Sequence, residues 1–330
     1  MTNLTLQKAS DTQSFAPDWV SPPGDTILDL LEERDWTQNQ LADRLGYSTK
    51  HVSQLINGKV PLSEDAAIRL QNVFGASAGF WLTREAQYRQ RIASIEAAEQ
   101  NANRVSWLDQ FPIKALMDAG VLDKCRVDAK SKPQLVGKLL AFFGVATPNQ
   151  WQSHYCDMQL AFRRSREEQS NIGAISAWLR LGEQAAEKLL LDKSANAKYD
   201  EARLRANLPQ IRALTTLTPA EFLPQLKQLL HEAGVALVLV PAITGTHVSG
   251  VARWLNPHRP LIQLSLYGKS NDKFWFTLCH EIAHILLHSK EKKSIFLDDI
   301  GQAGSNNQQE QEANTWARDF LISLDYAEQL

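Results

Sequence analysis

The chain is poor in cysteine. Three occur in 330 residues, Cys125, Cys156 and Cys279, with no C-x-x-C spacing among them. That excludes a disulfide framework and fits a reducing, bacterial-type cytoplasm. A surplus of charge is also missing: the formal net charge is −2, so any attraction to DNA has to come from a local patch. Long apolar runs are absent too. The longest, around Val235 to Val240, has the length of a buried strand and not of a membrane span. Residues 1–20 are polar and mixed, without the charged-then-apolar order of an export signal. The expectation is a soluble cytoplasmic protein with no membrane partner, long enough for two or three domains.

What is present is more specific. His280-Glu281-Ile282-Ala283-His284 lies within an apolar stretch, Phe274 to His288, that reads as a buried helix. Residues four apart share a helix face, so His280 and His284 can aim imidazole nitrogens at one point. Glu281 sits one step around, where a general base for a metal-held water belongs. The alternative is a pair of core histidines satisfied by hydrogen bonds, but burying two such rings without a metal or partners is costly. A third ligand has to come from a second helix, and Glu310 to Phe320 reads as that helix. Glu310 is the expected ligand. Glu312 is its rival, about 200° around the helix, so only one of them can face the ion. Asn314, one turn below Glu310, is placed to orient a ligand. Cys279 is about 100° off the histidine face and reads as a small core residue.

Phe274 to His288, together with Glu310-Gln-Glu-Ala-Asn-Thr-Trp-Ala-Arg-Asp-Phe-Leu-Ile322, resembles the ImmA/IrrE family of zinc metallopeptidases. The resemblance implies Zn²⁺ bound by His280, His284 and Glu310, with Glu281 as catalytic base. The chain departs from the family pattern at Trp316, where Phe is usual, and at Ser323, where Pro is usual. In that family such domains cut repressor proteins.

Near the other end, the punctuation between Pro22 and Phe74 is legible. Thr37 caps a helix from Gln38 to Leu45 that Gly46 stops, Ser48 caps Thr49 to Ile56, and Pro61-Leu62-Ser63 opens Glu64 to Phe74. Two short helices across a tight glycine turn, with Leu41, Ala42, Leu45, Val52 and Ile56 inward, describe a helix-turn-helix. The alternative is an ordinary helical hairpin. Against it, Thr49, Lys50, His51, Ser53 and Gln54 form a polar face near Arg44 and Lys59. Thr37 to Gly58 resembles the Xre/Cro-type (lambda-repressor-like) helix-turn-helix. More closely, Pro-Pro-Gly-Asp25 and Asn57-Gly-Lys-x-Pro-Leu-Ser63 resemble HigA-type antitoxins, over about Ser21 to Arg91. By that resemblance Thr49, Lys50 and Gln54 meet base edges of operator DNA, Gln38 and Asn57 hold phosphates, and the protein binds as a homodimer.

Residues from about Glu85 to Glu232 read as helices almost throughout, with Phe142, Trp151, Phe162 and Trp178 as core and Arg163-Arg164 as a solvated basic pair. Short β-type runs follow at Gly234–Pro241, Gly250–Leu255 and Leu261–Leu266. His288, Tyr267 and Arg253 are lesser candidates near the cleft, and His288 reads more readily as a packing histidine. The expected fold is mainly α with a small α+β domain: a polar tail (1–20), a helix-turn-helix domain (21–91), a helical linker or regulatory region (92–232) and a zincin-like domain (233–330) with a three-stranded sheet. Two functions fit. One is a DNA-binding regulator whose zinc endopeptidase domain cuts a repressor or partner protein. The other is a non-catalytic antitoxin-like autorepressor whose zinc domain binds a toxin or senses a signal.

Overall fold

A computed structural model describes residues 21–155, 172–191, 198–246, 248–265, 270–288, 296–299 and 308–322. The expected tail 1–20 and the residues Cys156, Phe162, Arg163, Arg164, Tyr267 and Ser323 lie outside the described residues. The chain forms two compact units, Met1–Gln100 and Asn101–Leu330.

The first unit is helical: α1 Pro23–Glu33, α2 Gln38–Leu45, α3 Thr49–Ile56, α4 Glu64–Phe74 and α5 Ala78–Ala102. Local chemistry sets its boundaries. Thr37 and Gln40 form a reciprocal capping box at the start of α2, and Gly46 ends that helix in the left-handed conformation. Ser48 and Ser63 accept backbone N–H bonds at the starts of α3 and α4. Leu41, Ala42, Leu45, Val52 and Ile56 are buried, together with Ile27, Leu70 and Trp81. Gly24 explains the Pro-Pro-Gly-Asp opening. A Cβ there would stand 1.7 Å from the Ile56 carbonyl oxygen, so only glycine lets α1 begin against the end of α3.

The second unit is built around a mixed four-stranded sheet of β1 Ala236–Leu239, β2 Val248–Asn256, β3 Arg259–Leu264 and β4 Phe296–Asp299, in the order β1-β3-β2-β4. β1 runs parallel to β3, and β2 lies antiparallel to both β3 and β4. The fourth strand is an addition to the three expected, because four residues without alternation carry no strand signal. The helices are α6 Ile113–Asp118, α7 Lys132–Phe143, α8 Ile172–Leu191, α9 Glu201–Ala213, α10 Pro219–Glu232, α11 Asn271–Leu287 and α12 Gln308–Leu321, with a further helical stretch at 148–155.

Alternation along the strands splits the core in two. Val238, Val251 and Leu261 face Trp178 and Leu139, while Leu237, Ala252, Ile262 and Leu264 face Phe222, Leu278 and Ile282. The sheet is therefore covered on one side by α7 and α8 and on the other by α10 and α11. The expected boundary at 232/233 falls between α10 and β1, inside this unit. Among the described residues no helix is long and apolar enough to cross a membrane.

Arg253 needs a correction. Considered near the cleft, it instead lies on the α8 side of the sheet, buried, 2.6 Å from Glu183 and donating to the Leu179 carbonyl oxygen at 2.6 Å. Residue parity on β2 puts it on the face opposite Gly250 and Ala252, away from α11.

Candidate metal centre and nucleic-acid interface

Helix α11 buries nearly every side chain from Trp275 to Leu286, polar ones included. His280 and Glu281 have no exposed surface and His284 has 1%. Helix α12 is different, exposed on most of its surface, with Ala313 and Ala317 buried. Glu310, Ala313, Asn314 and Ala317 fall at i, i+3, i+4, i+7, a single stripe. Two alanines on that stripe let α12 lie close enough to α11 for a short carboxylate to reach the histidines.

His280, His284 and Glu310 bring their donor atoms within 4.8 Å of one another. The two Nε2 atoms are 2.9 Å apart, and the Glu310 oxygens are 3.3 Å from His280 Nε2 and 3.4 Å from His284 Nε2. A tetrahedral zinc with bonds of about 2.0–2.1 Å sets its donors roughly 3.3 Å apart. The donor set of two imidazoles and one carboxylate, and its spacing, fit such an ion.

The outer hydrogen bonds decide which nitrogen is bare. Asn314 Oδ1 accepts from His280 Nδ1 at 3.0 Å, which leaves a lone pair on Nε2. Glu312 Oε2 accepts from His288 Nε2 at 3.2 Å, so His288 Nδ1 is the acceptor for His284 Nδ1 at 3.1 Å. His284 Nε2 then also turns a lone pair toward the cluster. In this tautomer pattern two imidazole lone pairs and a carboxylate converge on one buried point, a donor set suited to a cation. Glu312 thus reaches His288 and not the donor cluster, and His288 orients His284.

Protonation agrees with this. Burial pulls His284 down to about 4. His284 is therefore neutral around neutral pH, as metal binding requires. Burial pushes the Cys279 thiol up to about 12, away from the thiolate a metal would need.

Glu281 lies against β2. A Cβ on Gly250 would stand 2.7 Å from Glu281 Oε1, 2.7 Å from Thr277 Cγ2 and 3.0 Å from Leu264 Cδ2. Gly250 therefore leaves the space that the Glu281 carboxylate occupies. Sequence reading missed this residue. Its only sign is a glycine inside a strand, which marks a close backbone approach without saying to what.

In the first unit, Thr49, Lys50, Asn57 and Lys59 are exposed, while Gln38, His51, Ser53 and Gln54 are partly covered. His51 lies edge-on to Tyr47 with ring centroids 4.7 Å apart. Asn57 ends α3, and its amide donates to the Ser53 carbonyl oxygen at 2.7 Å. Thr49, Lys50, Ser53 and Gln54 project from one exposed side of α3, whose other side holds Val52, Leu55 and Ile56 in the core.

These geometries define a helix-turn-helix unit and an α/β unit with a His-Glu-His donor cluster. Residues 27–81 match the helix-turn-helix family, and residues 240–330 match a peptidase family described as the IrrE N-terminal-like domain. The chain thus carries a DNA-binding regulator domain at its N-terminal end and a domain of the IrrE-type peptidase family at its C-terminal end. Over 65 residues it is 40% identical to the uncharacterised HTH-type transcriptional regulator YbaQ of Escherichia coli K12, a match spanning 19% of this chain and 58% of that regulator. The same regulator from E. coli O6:H1 matches equally. A solved chain from Nostoc punctiforme, described as an antidote protein of a plasmid maintenance system, is 30% identical over 24% of this chain and 91% of its own, with a TM-score of 0.24.

Proposed function

We propose that the chain is a sequence-specific DNA-binding regulator whose second unit is a zinc-dependent endopeptidase acting on a repressor or partner protein. The supporting observation is the convergence of His280, His284 and Glu310 donor atoms, with Asn314 and His288 on the outer ring nitrogens, beside a buried Glu281. Zinc, when bound, supplies a Lewis acid for a peptide carbonyl and lowers the pKa of its water. His280, His284 and Glu310 would hold the ion, and Glu310 would offset part of its charge. Glu281, set against Gly250, takes the proton of the attacking water and returns it to the leaving amine. On the DNA side, Thr49, Lys50 and Gln54 read base edges, with His51 and Ser53 beside them on α3. Gln38, Asn57 and Lys59 contact the backbone, in a homodimer on paired half-sites. β4 is the outermost strand, next to β2, and an extended substrate pairs along that edge of the sheet.

The rival reading, an antitoxin-like autorepressor without turnover, rests on the N-terminal motif. It gives Glu281 no task, because a structural zinc site needs no base beside its ligands. Glu281→Gln separates the two. It should retain about one zinc per chain and bind DNA as before, yet lose about 10²- to 10⁴-fold in cleavage of a peptide library. Undiminished cleavage removes Glu281 from the mechanism. No cleavage by the zinc-loaded parent chain leaves the autorepressor.

A further inference from the structure

The second unit holds a cavity of about 510 Å³ between α10, the first turns of α11 and one end of the sheet. Leu217, Phe222, Leu239, Leu264, Phe274 and Thr277 line it, and Lys273 is the one charged side chain among the described lining residues. Its position relative to the donor cluster is what matters. Thr277 precedes Glu281 by four residues, so the two share a face of α11 about 6 Å apart along the axis. Leu264 and Thr277, both walls of the cavity, also converge with Glu281 Oε1 on Gly250. Two walls of the cavity therefore pack around the same glycine that seats the carboxylate.

We infer that this cavity takes a large apolar side chain of the polypeptide held at the metal centre, from a residue flanking the bond to be cut. This rests on the peptidase reading above. An extended chain advances about 3.3 Å per residue. A carbonyl placed beside Glu281 thus puts a neighbouring side chain within reach of the turn at Thr277. Aromatic and branched walls favour Phe, Leu, Met or Trp, and the volume admits the largest of these. Lys273 opposes lysine and arginine, which would meet a like charge with no carboxylate among the described walls. Specificity then lies in a pocket that excludes basic residues and accepts apolar ones.

The test uses the full chain in two forms. Metal-free protein is titrated with N-acetyl-phenylalanine amide and N-acetyl-lysine amide by ligand-observed NMR. Zinc-loaded protein is given a random peptide library, with cleavage sites read by mass spectrometry. The phenylalanine compound should bind and the lysine compound should not. Leu223 on α10 also lines the cavity, and Leu223→Trp, which fills it, should weaken binding by about tenfold or more. Leu217→Trp serves as a second filling variant should the first misfold. Library cuts should fall beside apolar residues and shift toward smaller ones in either variant. Equal binding of the two compounds, binding unaffected by both variants, or cleavage without apolar preference overturns the inference. Selective binding with no cleavage of any peptide leaves the pocket standing and overturns the peptidase reading.

Discussion

Helices α3 and α11 both carry functional candidates three and four residues apart, and they treat those residues in opposite ways. On α3 the apolar side is spent on the core, and Thr49, Lys50, Ser53 and Gln54 keep to the outer side. On α11 the candidates are themselves core: His280, Glu281 and His284 are almost wholly buried. A surface helix of the first kind can change its reading residues without repacking. A buried helix of the second kind cannot, because neighbouring elements set the ring orientation, the tautomer and the carboxylate position. The lesson is that function and stability separate in the first unit and are joined in the second.

The sharpest test removes a ligand. His280→Ala should take the second unit from about one zinc per chain to none detectable, since three protein ligands are the minimum for a catalytic zinc site. It also leaves Asn314 without its ring partner and opens a buried gap, so the melting temperature of the metal-free chain should fall as well. Operator binding by the first unit should be unchanged. Metal analysis, calorimetry and a DNA-binding isotherm on one preparation check all three. Retained zinc, or lost operator affinity, would break the separation between the units.

A smaller effect is expected one layer out. Asn314→Leu removes the acceptor that pins His280 while leaving every ligand in place, so zinc affinity should fall by about 10- to 100-fold without abolishing the site. Competition with a chelating dye measures it. An unchanged affinity would mean that packing alone, and not the hydrogen bond, holds the His280 tautomer.

How much of this could be read from the sequence follows the same division. In the first unit the determinants are local. Thr37, Ser48, Ser63 and Gly46 announce the helix ends within a few residues, and helices 38–45, 49–56 and 64–74 stand where the caps put them. In the second unit the spacing of His280, Glu281 and His284 was legible because it lies on one helix. The part played by their neighbours was not. Gly250 meets Glu281 at a sequence separation of 31, Arg253 meets Glu183 at one of 70, and both meetings depend on how strands and helices stack. Whether Glu312 or Glu310 faces the histidines depended on the rotation of α12. Ala313 and Ala317 fix that rotation only once α11 is in place.

The mildest changes belong to α3 and the turn that follows it, where the comparison can be sharpened most cleanly. Gln54→Ala removes a side chain suited to a bidentate contact with adenine, so it should narrow the gap between cognate and random DNA by about 1–3 kcal/mol. Lys59→Ala removes a side-chain charge facing the DNA backbone, so it should weaken binding to all sequences alike and lower the slope of log affinity against log salt by about 1. Lys59 is exposed and Gln54 partly so, and each change should move the stability of the first unit by no more than about 0.5 kcal/mol. Titrations at several salt concentrations on cognate and random duplexes distinguish the two. Equal losses on both duplexes for Gln54→Ala would remove it from base reading, and a stability loss of several kcal/mol would end the separation of function from fold on α3.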